Sequence, residues 1–180
     1  MSRLRIYSER DGTAPLLETS DHARIADELG QRGVRFERWA TRALSAAPTS
    51  DDVLAAYASE IDLLKSDGGY AACDVISLTP DHPGKDTLRR KFLNEHTHAE
   101  DEVRFFVAGS GLFSLHVGDR VYEVLCQEGD LIGVPDGTPH WFDMGPQPSF
   151  TAVRLFTNPA GWVADFTGSD IATRFPRYEH

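Results

Sequence analysis

Four residues of this chain have the types and spacing to hold one divalent transition metal: His96, His98, Glu102 and His140. On a β-strand, side chains at i and i+2 point to the same face, so His96 and His98 can grip a single ion together. Imidazole suits iron, nickel, copper and zinc, and an added carboxylate moves the preference toward harder ions such as iron or manganese. Four protein ligands on an octahedral ion leave two positions open for substrate or oxygen, which is a catalytic layout rather than a structural one.

The chain has seven histidines, and an isolated His is far more often packed or solvated than a ligand. His-x-His alone is therefore a weak signal. The full spacing is more demanding. Gly109 stands seven residues after Glu102, and Gly129, Pro135, Gly137 and His140 complete a second pattern, Gly-x5-Pro-x-Gly-x2-His. The other histidines fit bland settings: His22 on a helix surface, His82 in a Pro-rich loop, and His180 at the terminus. His116 shares strand parity with Ser114 and is expected to be exposed, away from the cluster.

The elements that must position the cluster can be read from periodicity. Ser20-Asp21 can cap a helix over His22 to Leu29 with Gly30 as its stop, and Gly33 to Trp39 alternates like a half-buried strand. One longer helix is expected from Ser50, carrying Val53, Tyr57, Ile61 and Leu64 on one face and ending at Gly68-Gly69. Asp74 to Leu78 reads as a strand, Thr79 to Lys85 as a loop, and Asp86 to Leu93 as a short helix delivering the chain to His96. From Glu102 onward short strands alternate with glycines. Val103 to Val107 and Leu112 to Val117 are expected to flank a turn at Ala108-Gly109-Ser110-Gly111, with a hairpin at Gly118-Asp119, then strands at Arg120 to Cys126, Leu131 to Val134 and Phe150 to Phe156. A helical turn is expected near Gly161-Trp162, and the remaining tail drapes over the barrel. The fold class is mainly β, a jelly roll or small barrel with a few peripheral α-helices.

Length and charge bound the rest. At 180 residues, with 41% apolar and 26% charged residues, the chain suits a single domain. Within it, residues 1–95 would pack on a core at 96–156, with 157–180 as a tail. The net charge of −10 argues against a nucleic-acid partner. The N-terminus lacks the apolar run of a secretory signal, and no stretch is long enough to span a membrane. Cys73 and Cys126 are expected to be buried thiols, consistent with a cytoplasmic location. The absence of an evident exposed apolar strip leads us to expect a monomer.

The two motifs together resemble those of the cupin superfamily, whose small β-barrels hold a metal in their mouth. Arg90 stands where the first motif usually opens with Gly, and Met144 where the second usually ends with Asn; neither is a ligand position. A closer resemblance covers most of the chain. Gly33-Val-Arg-Phe-Glu-Arg-Trp39, Asp74-Val-Ile-Ser-Leu78, Lys91-Phe-Leu-Asn-Glu-His-Thr-His98, Asp101-Glu-Val-Arg-Phe-Phe-Val107 and Pro139-His-Trp-Phe-Asp-Met144 are similar to segments of the bacterial acireductone dioxygenases of methionine salvage. That resemblance implies one Fe(2+) or Ni(2+) per chain. It also implies cleavage of the small-molecule acireductone 1,2-dihydroxy-5-(methylthio)pent-1-en-3-one by O2. In that family the iron form yields 4-methylthio-2-oxobutanoate and formate, and the nickel form 3-methylthiopropanoate, formate and carbon monoxide.

A substrate dianion needs positive charge beside the metal. Arg104 lies two residues after Glu102 and shares its face on a regular strand. It can hold an anionic oxygen, a catalytic role the resemblance also implies, or it can form a salt bridge, for example to Glu95 or Asp101. The resemblance gives Glu95 and Asp101 supporting roles, in metal uptake and in relaying conformational change. Arg154 is either a second inward cation or half of a buried ion pair. Phe92, Phe142 and Trp162 are candidates for an apolar wall around the methylthio tail, with core packing as the alternative for each. Two rival readings stay open: another metal cupin enzyme (a dioxygenase, isomerase or decarboxylase), and a non-catalytic effector-binding cupin, which would be expected to lack ligands or to carry a DNA-binding helical domain.

Overall fold

Gly and Pro punctuation cuts the chain into segments too short for long helices, and the observed elements follow it. The computed structural model describes residues 1–158 and 163–179. Its strands are β1 (Arg3–Ser8), β2 (Leu17–Thr19), β3 (Arg35–Arg38), β4 (Ala72–Leu78), β5 (His96–Thr97), β6 (Glu102–Val117), β7 (Arg120–Gln127), β8 (Asp130–Val134), β9 (His140–Asp143), β10 (Phe150–Phe156) and β11 (Asp165–Phe166). Every pairing is antiparallel, and two sheets share β6. One runs β11-β5-β9-β6-β7-β1-β2; the other runs β4-β10-β6-β8-β3. The mainly β architecture with peripheral helices is as expected. Among the described residues no helix is long and apolar enough to cross a membrane.

The expected turn at Ala108 to Gly111 does not exist. β6 runs unbroken through it for 16 residues and passes from one sheet to the other. Two local features let it do so. Thr151 pairs with Ala108 and Ala152 with Phe106, so Val107 is an extra residue in a β-bulge. Gly109 then takes φ +73, where an added Cβ would collide with the Ser149 carbonyl oxygen. The bulge switches parity along the strand. Before it, Phe106 faces the barrel core; after it, Phe113 and Leu115 do. Ser114 and His116 therefore lie on the other face, as parity suggested, but they are not exposed. Ser114 is fully buried, because its cross-strand neighbour Trp141 packs with Tyr7, Val121 and the C-terminal residues Ile171, Ala172 and Phe175. The tail drapes over this face, as expected.

The helices need two corrections. α1 (His22–Gly30) is capped by the Asp21 side chain as expected, but Gly30 ends inside it and Gly33, at φ +76, makes the turn. The single helix expected from Ser50 is two, α2 (Ser50–Ala56) and α3 (Ala58–Gly68), broken at Tyr57. The break buries the Tyr57 ring edge-on against Phe105 at 5.0 Å and lets its hydroxyl accept from the Arg42 main-chain N–H at 2.9 Å. α2 starts at Ser50 as expected, held by a capping box between Thr49 and Asp52. α4 (Lys85–Phe92) delivers the chain to β5 as predicted. Both cysteines are free, but Cys73 is only partly buried, since β4 edges its sheet.

Beneath the tail lies a buried acid with a testable consequence. Glu123, register partner of Ser114, is 3% exposed, and its Oε1 has no hydrogen-bond partner among the described residues. Burial pushes its carboxyl up to about 7 from 4.5, against the opposing pull of Arg5, Tyr7 and Arg3. The folded state therefore holds this proton more tightly than the unfolded chain. The penalty is absent below the unfolded value, grows as pH rises, and is complete above the folded value. Glu123→Gln should add up to roughly 3 kcal/mol of stability near pH 8 and little near pH 5. Chemical denaturation at the two pH values checks this, and an equal gain at both would show that ionisation is not the cause.

Candidate metal centre

β5, β6 and β9 bring the cluster together. His96 and His140 are register partners on β5 and β9, their rings 4.4 Å apart between centroids. His98 follows just beyond β5, which is only two residues long, so strand parity does not place it. Its ring still converges, 5.2 Å from His96 and 5.3 Å from His140. One ring nitrogen from each histidine lies within 4.8 Å of the others. Glu102, at the start of β6, sets Oε2 3.2 Å from His98 Nε2 and 3.6 Å from His140 Nε2.

Main-chain carbonyls orient all three rings. His96 Nδ1 lies 2.8 Å from the Asn94 oxygen, His98 Nδ1 3.0 Å from Val163, and His140 Nδ1 2.8 Å from Thr138. With Nδ1–H donating to a carbonyl, each ring turns Nε2 toward the cluster, where it can bind an ion once its proton has left. Electrostatics favour deprotonated ligands at two positions. Burial, aided by the neighbouring His140, pushes His96 down to about 4. Burial opposes ionisation of Glu102, but the Arg104 charge and hydrogen bonds from His140 and His98 hold it well below the usual carboxylate range. His98 goes the other way: despite burial, its hydrogen bond to Glu102 raises it. The donor set fits one divalent ion.

Arg104 is inward, as parity predicted. It is 7% exposed, and its Nη2 donates to Glu102 Oε1 at 2.6 Å, so its salt bridge is to Glu102 rather than Glu95 or Asp101. The guanidinium lies over Phe113 at 4.9 Å and Phe142 at 4.7 Å. Its buried Nε has no hydrogen-bond partner among the described residues.

The cavity over the cluster is lined by Phe92, Phe142, Arg104 and Arg154 together with Lys91, Phe113, Phe156, Ala164 and Phe166. Arg154 lines the cavity and also pairs with Asp74 through Nε at 2.8 Å and Nη2 at 2.6 Å, but that pair is partly exposed rather than buried as the second alternative had it. Phe113 went unnoticed in the sequence because the bulge reverses parity between it and Glu102. Lys91 and Phe166 carry no sequence signal that separates them from ordinary surface residues. Trp162 lies outside the described residues.

Glu95 and Asp101 do not line this cavity. Glu95 is buried beside it, with Oε2 3.0 Å from His116 Nδ1 and Oε1 accepting from the Thr167 hydroxyl at 2.8 Å. His116 is thus only partly exposed and adjoins the site through Glu95; its Nε2 reaches Glu9 at 3.1 Å. Asp101 is exposed and accepts from the Asp136 N–H at 2.8 Å, in the loop leading to His140.

A profile of the ARD/ARD' family matches residues 3–164. The chain belongs to the ARD/ARD' family. The acireductone dioxygenase of Hahella chejuensis is 59% identical over 179 residues, covering 99% of this chain and 97% of that protein. The enzyme of the same name from Citrobacter koseri is 59% identical over 178 residues, covering 98% and 99%. Among solved structures, an acireductone dioxygenase from Bacillus anthracis with a cadmium ion in its active centre superposes with a TM-score of 0.81, at 30% identity over 92% of this chain and 98% of that one. As a member of the ARD/ARD' family the protein is a metal-dependent oxidoreductase with the cupin fold.

Proposed function

We infer that this protein is the acireductone dioxygenase of a methionine salvage route. Its substrates are 1,2-dihydroxy-5-(methylthio)pent-1-en-3-one and O2, and one Fe(2+) or Ni(2+) is held by His96, His98, Glu102 and His140. The observation that carries this reading is a buried cation beside the converging ligands, Arg104, whose Nη2 holds Glu102 while its Nε has no hydrogen-bond partner among the described residues. A bound divalent ion supplies Lewis acidity that polarises the substrate's carbonyl and enediol oxygens.

The chain's own residues do the rest. Arg104 Nε–H donates to an anionic substrate oxygen and favours the deprotonated substrate, while Nη2 stays on Glu102. The Phe113 and Phe142 rings hold the guanidinium plane, so this donor is oriented before substrate arrives. Phe92 and Phe142, 6.4 Å apart and edge-on, form an apolar wall suited to a methylthio tail. Lys91 adds positive charge to the cavity lining in a protein of net charge −10, which favours entry of an anion, whereas the charge of Arg154 is largely compensated by Asp74. Glu95 and Asp101 act indirectly, Glu95 by anchoring the chain just before His96 to His116 and Thr167, and Asp101 by bracing the loop before His140. The reading carries with it a single functional domain acting as a cytoplasmic monomer.

The test is anaerobic loading with iron or with nickel, addition of acireductone and oxygen, and product analysis. The iron form should give 4-methylthio-2-oxobutanoate and formate, the nickel form 3-methylthiopropanoate, formate and carbon monoxide. No cleavage with either metal removes the substrate assignment. One product mixture for both metals removes the metal-dependent choice of route.

A further inference from the structure

The cavity over the cluster encloses about 50 Å³, room for a few water molecules, whereas small-molecule sites commonly offer about 300–1,000 Å³. A substrate with a five-carbon chain and a methylthio tail enters only when a wall moves. Most of the wall cannot move cheaply: Glu102, Phe113, His140, Phe142 and Phe156 sit on paired strands and are buried. β11 is hydrogen-bonded to β5 at His96 itself, and Thr167 beyond it bonds Glu95, so shifting that side disturbs the ligand strand.

α4 is different. Its C-terminal end supplies Lys91 and Phe92, yet the helix has no fully buried residue. Leu88 and Phe92 pack only partly against the core. What pins it is polar. Arg89 donates Nε to Asp143 Oδ1 at 2.8 Å and Nη2 to Oδ2 at 3.1 Å, with Nη2 also 3.2 Å from the Tyr178 carbonyl oxygen. The Tyr178 N–H donates to the same Asp143 Oδ2 at 3.0 Å, and the Tyr178 hydroxyl lies 2.7 Å from Ser110 Oγ. Asp143 is 2% exposed and follows Phe142, so the helix, the C-terminal segment and the aromatic wall meet at one carboxylate. A weaker, exposed contact, Lys85 Nζ to Gln147 Oε1 at 3.1 Å, holds the other end.

We propose that Arg89, Asp143 and the main chain of Tyr178 form a latch that positions α4, so that the C-terminal segment sets how long an apolar tail the Phe92–Phe142 wall accepts. Arg89 is a positioning residue and touches neither metal ligand nor substrate. The identity of the substrate rests on the acireductone reading above; the latch does not.

Two variants release the latch in the full-length, metal-loaded protein. Arg89→Met removes the fork, and Tyr178→Pro removes the N–H to Asp143. Tyr178→Phe, which keeps both main-chain contacts, is the control. In either release variant KM for the methylthio substrate should rise roughly tenfold, and its ratio to KM for longer-tailed homologues should shrink, while kcat and metal content stay within about twofold. Amides of residues 86–93 should exchange with deuterium roughly tenfold faster. Tyr178→Phe should track the wild type on all readouts. Unchanged KM ratios and exchange in Arg89→Met would overturn the latch, as would loss of metal, or a Tyr178→Phe variant as impaired as Tyr178→Pro. If Arg89→Met does not fold, Arg89→Lys, which retains the charge without the fork, decides on the same measurements. A wild-type protein that cleaves no acireductone removes the functional reading, and hydrogen exchange then judges the latch by itself.

Discussion

Arg104→Ala should lower kcat roughly 10²–10³-fold, the loss typical when one preorganised donor to a developing negative charge is removed, while the metal content of the loaded protein stays near one per chain. The asymmetry follows from where the two ends of the guanidinium go. Nη2 is committed to Glu102, whereas the buried Nε has no hydrogen-bond partner among the described residues. In the loaded protein the ion's own charge still compensates Glu102, so the carboxylate keeps its place without Arg104. Arg104→Lys should recover little, because a single ammonium cannot serve Glu102 and a substrate oxygen at once in a planar fork. Metal analysis beside steady-state kinetics checks this. If Arg104→Ala loses metal and fold together, the arginine is a structural counter-ion and the assigned donor role is wrong.

Glu102→Ala should fail in two separable ways. Removing a group that only orients a ligand costs roughly 10–100-fold in metal affinity, and removing the sole anionic ligand should cost more; competition with a chelator measures it. The second loss appears without metal. Arg104 is buried, and burial already lowers its hold on the proton despite Glu102 beside it. With Glu102 gone its charge has no counterpart, and breaking a buried pair in this way costs about 3–5 kcal/mol. The metal-free Arg104→Ala protein should be hurt less, because Glu102 retains His98 and His140 at 3.2 and 3.6 Å. Denaturant titrations of the two metal-free variants compare them directly. Equal stability of wild type and Glu102→Ala would mean that Arg104 is solvated in solution.

Much of this site was legible in one dimension because its chemistry is written in residue type. Few arrangements besides a metal centre explain His96, His98, Glu102 and His140 at these separations with glycines and a proline at the turn positions. Arg104 followed from local parity, which held because no bulge lies between residues 102 and 104. Where a bulge intervenes, parity failed: the merging of two expected strands into β6 hid Phe113 from view. Parity gave Ser114 and His116 the right face, but the C-terminal residues and Glu95 that cover that face come from distant parts of the chain. The break at Tyr57 was hidden for a related reason. Helical spacing continues across it, and only the ring of Phe105 and the main chain of Arg42 favour the kink.

The sequence by itself picked out the candidate ligand cluster and determined the inward cation and the mainly β class, since each rests on side-chain chemistry or on periodicity within a few residues. Tertiary structure alone decided which carboxylate Arg104 pairs with, that Glu95 is braced by His116 and Thr167, that Arg154 serves Asp74 and the cavity together, and that α4 is pinned from residue 178. Those contacts join positions up to 89 residues apart. Their partners are ordinary Asp, Thr and Tyr residues, which acquire meaning only when folding sets them within hydrogen-bond distance of each other.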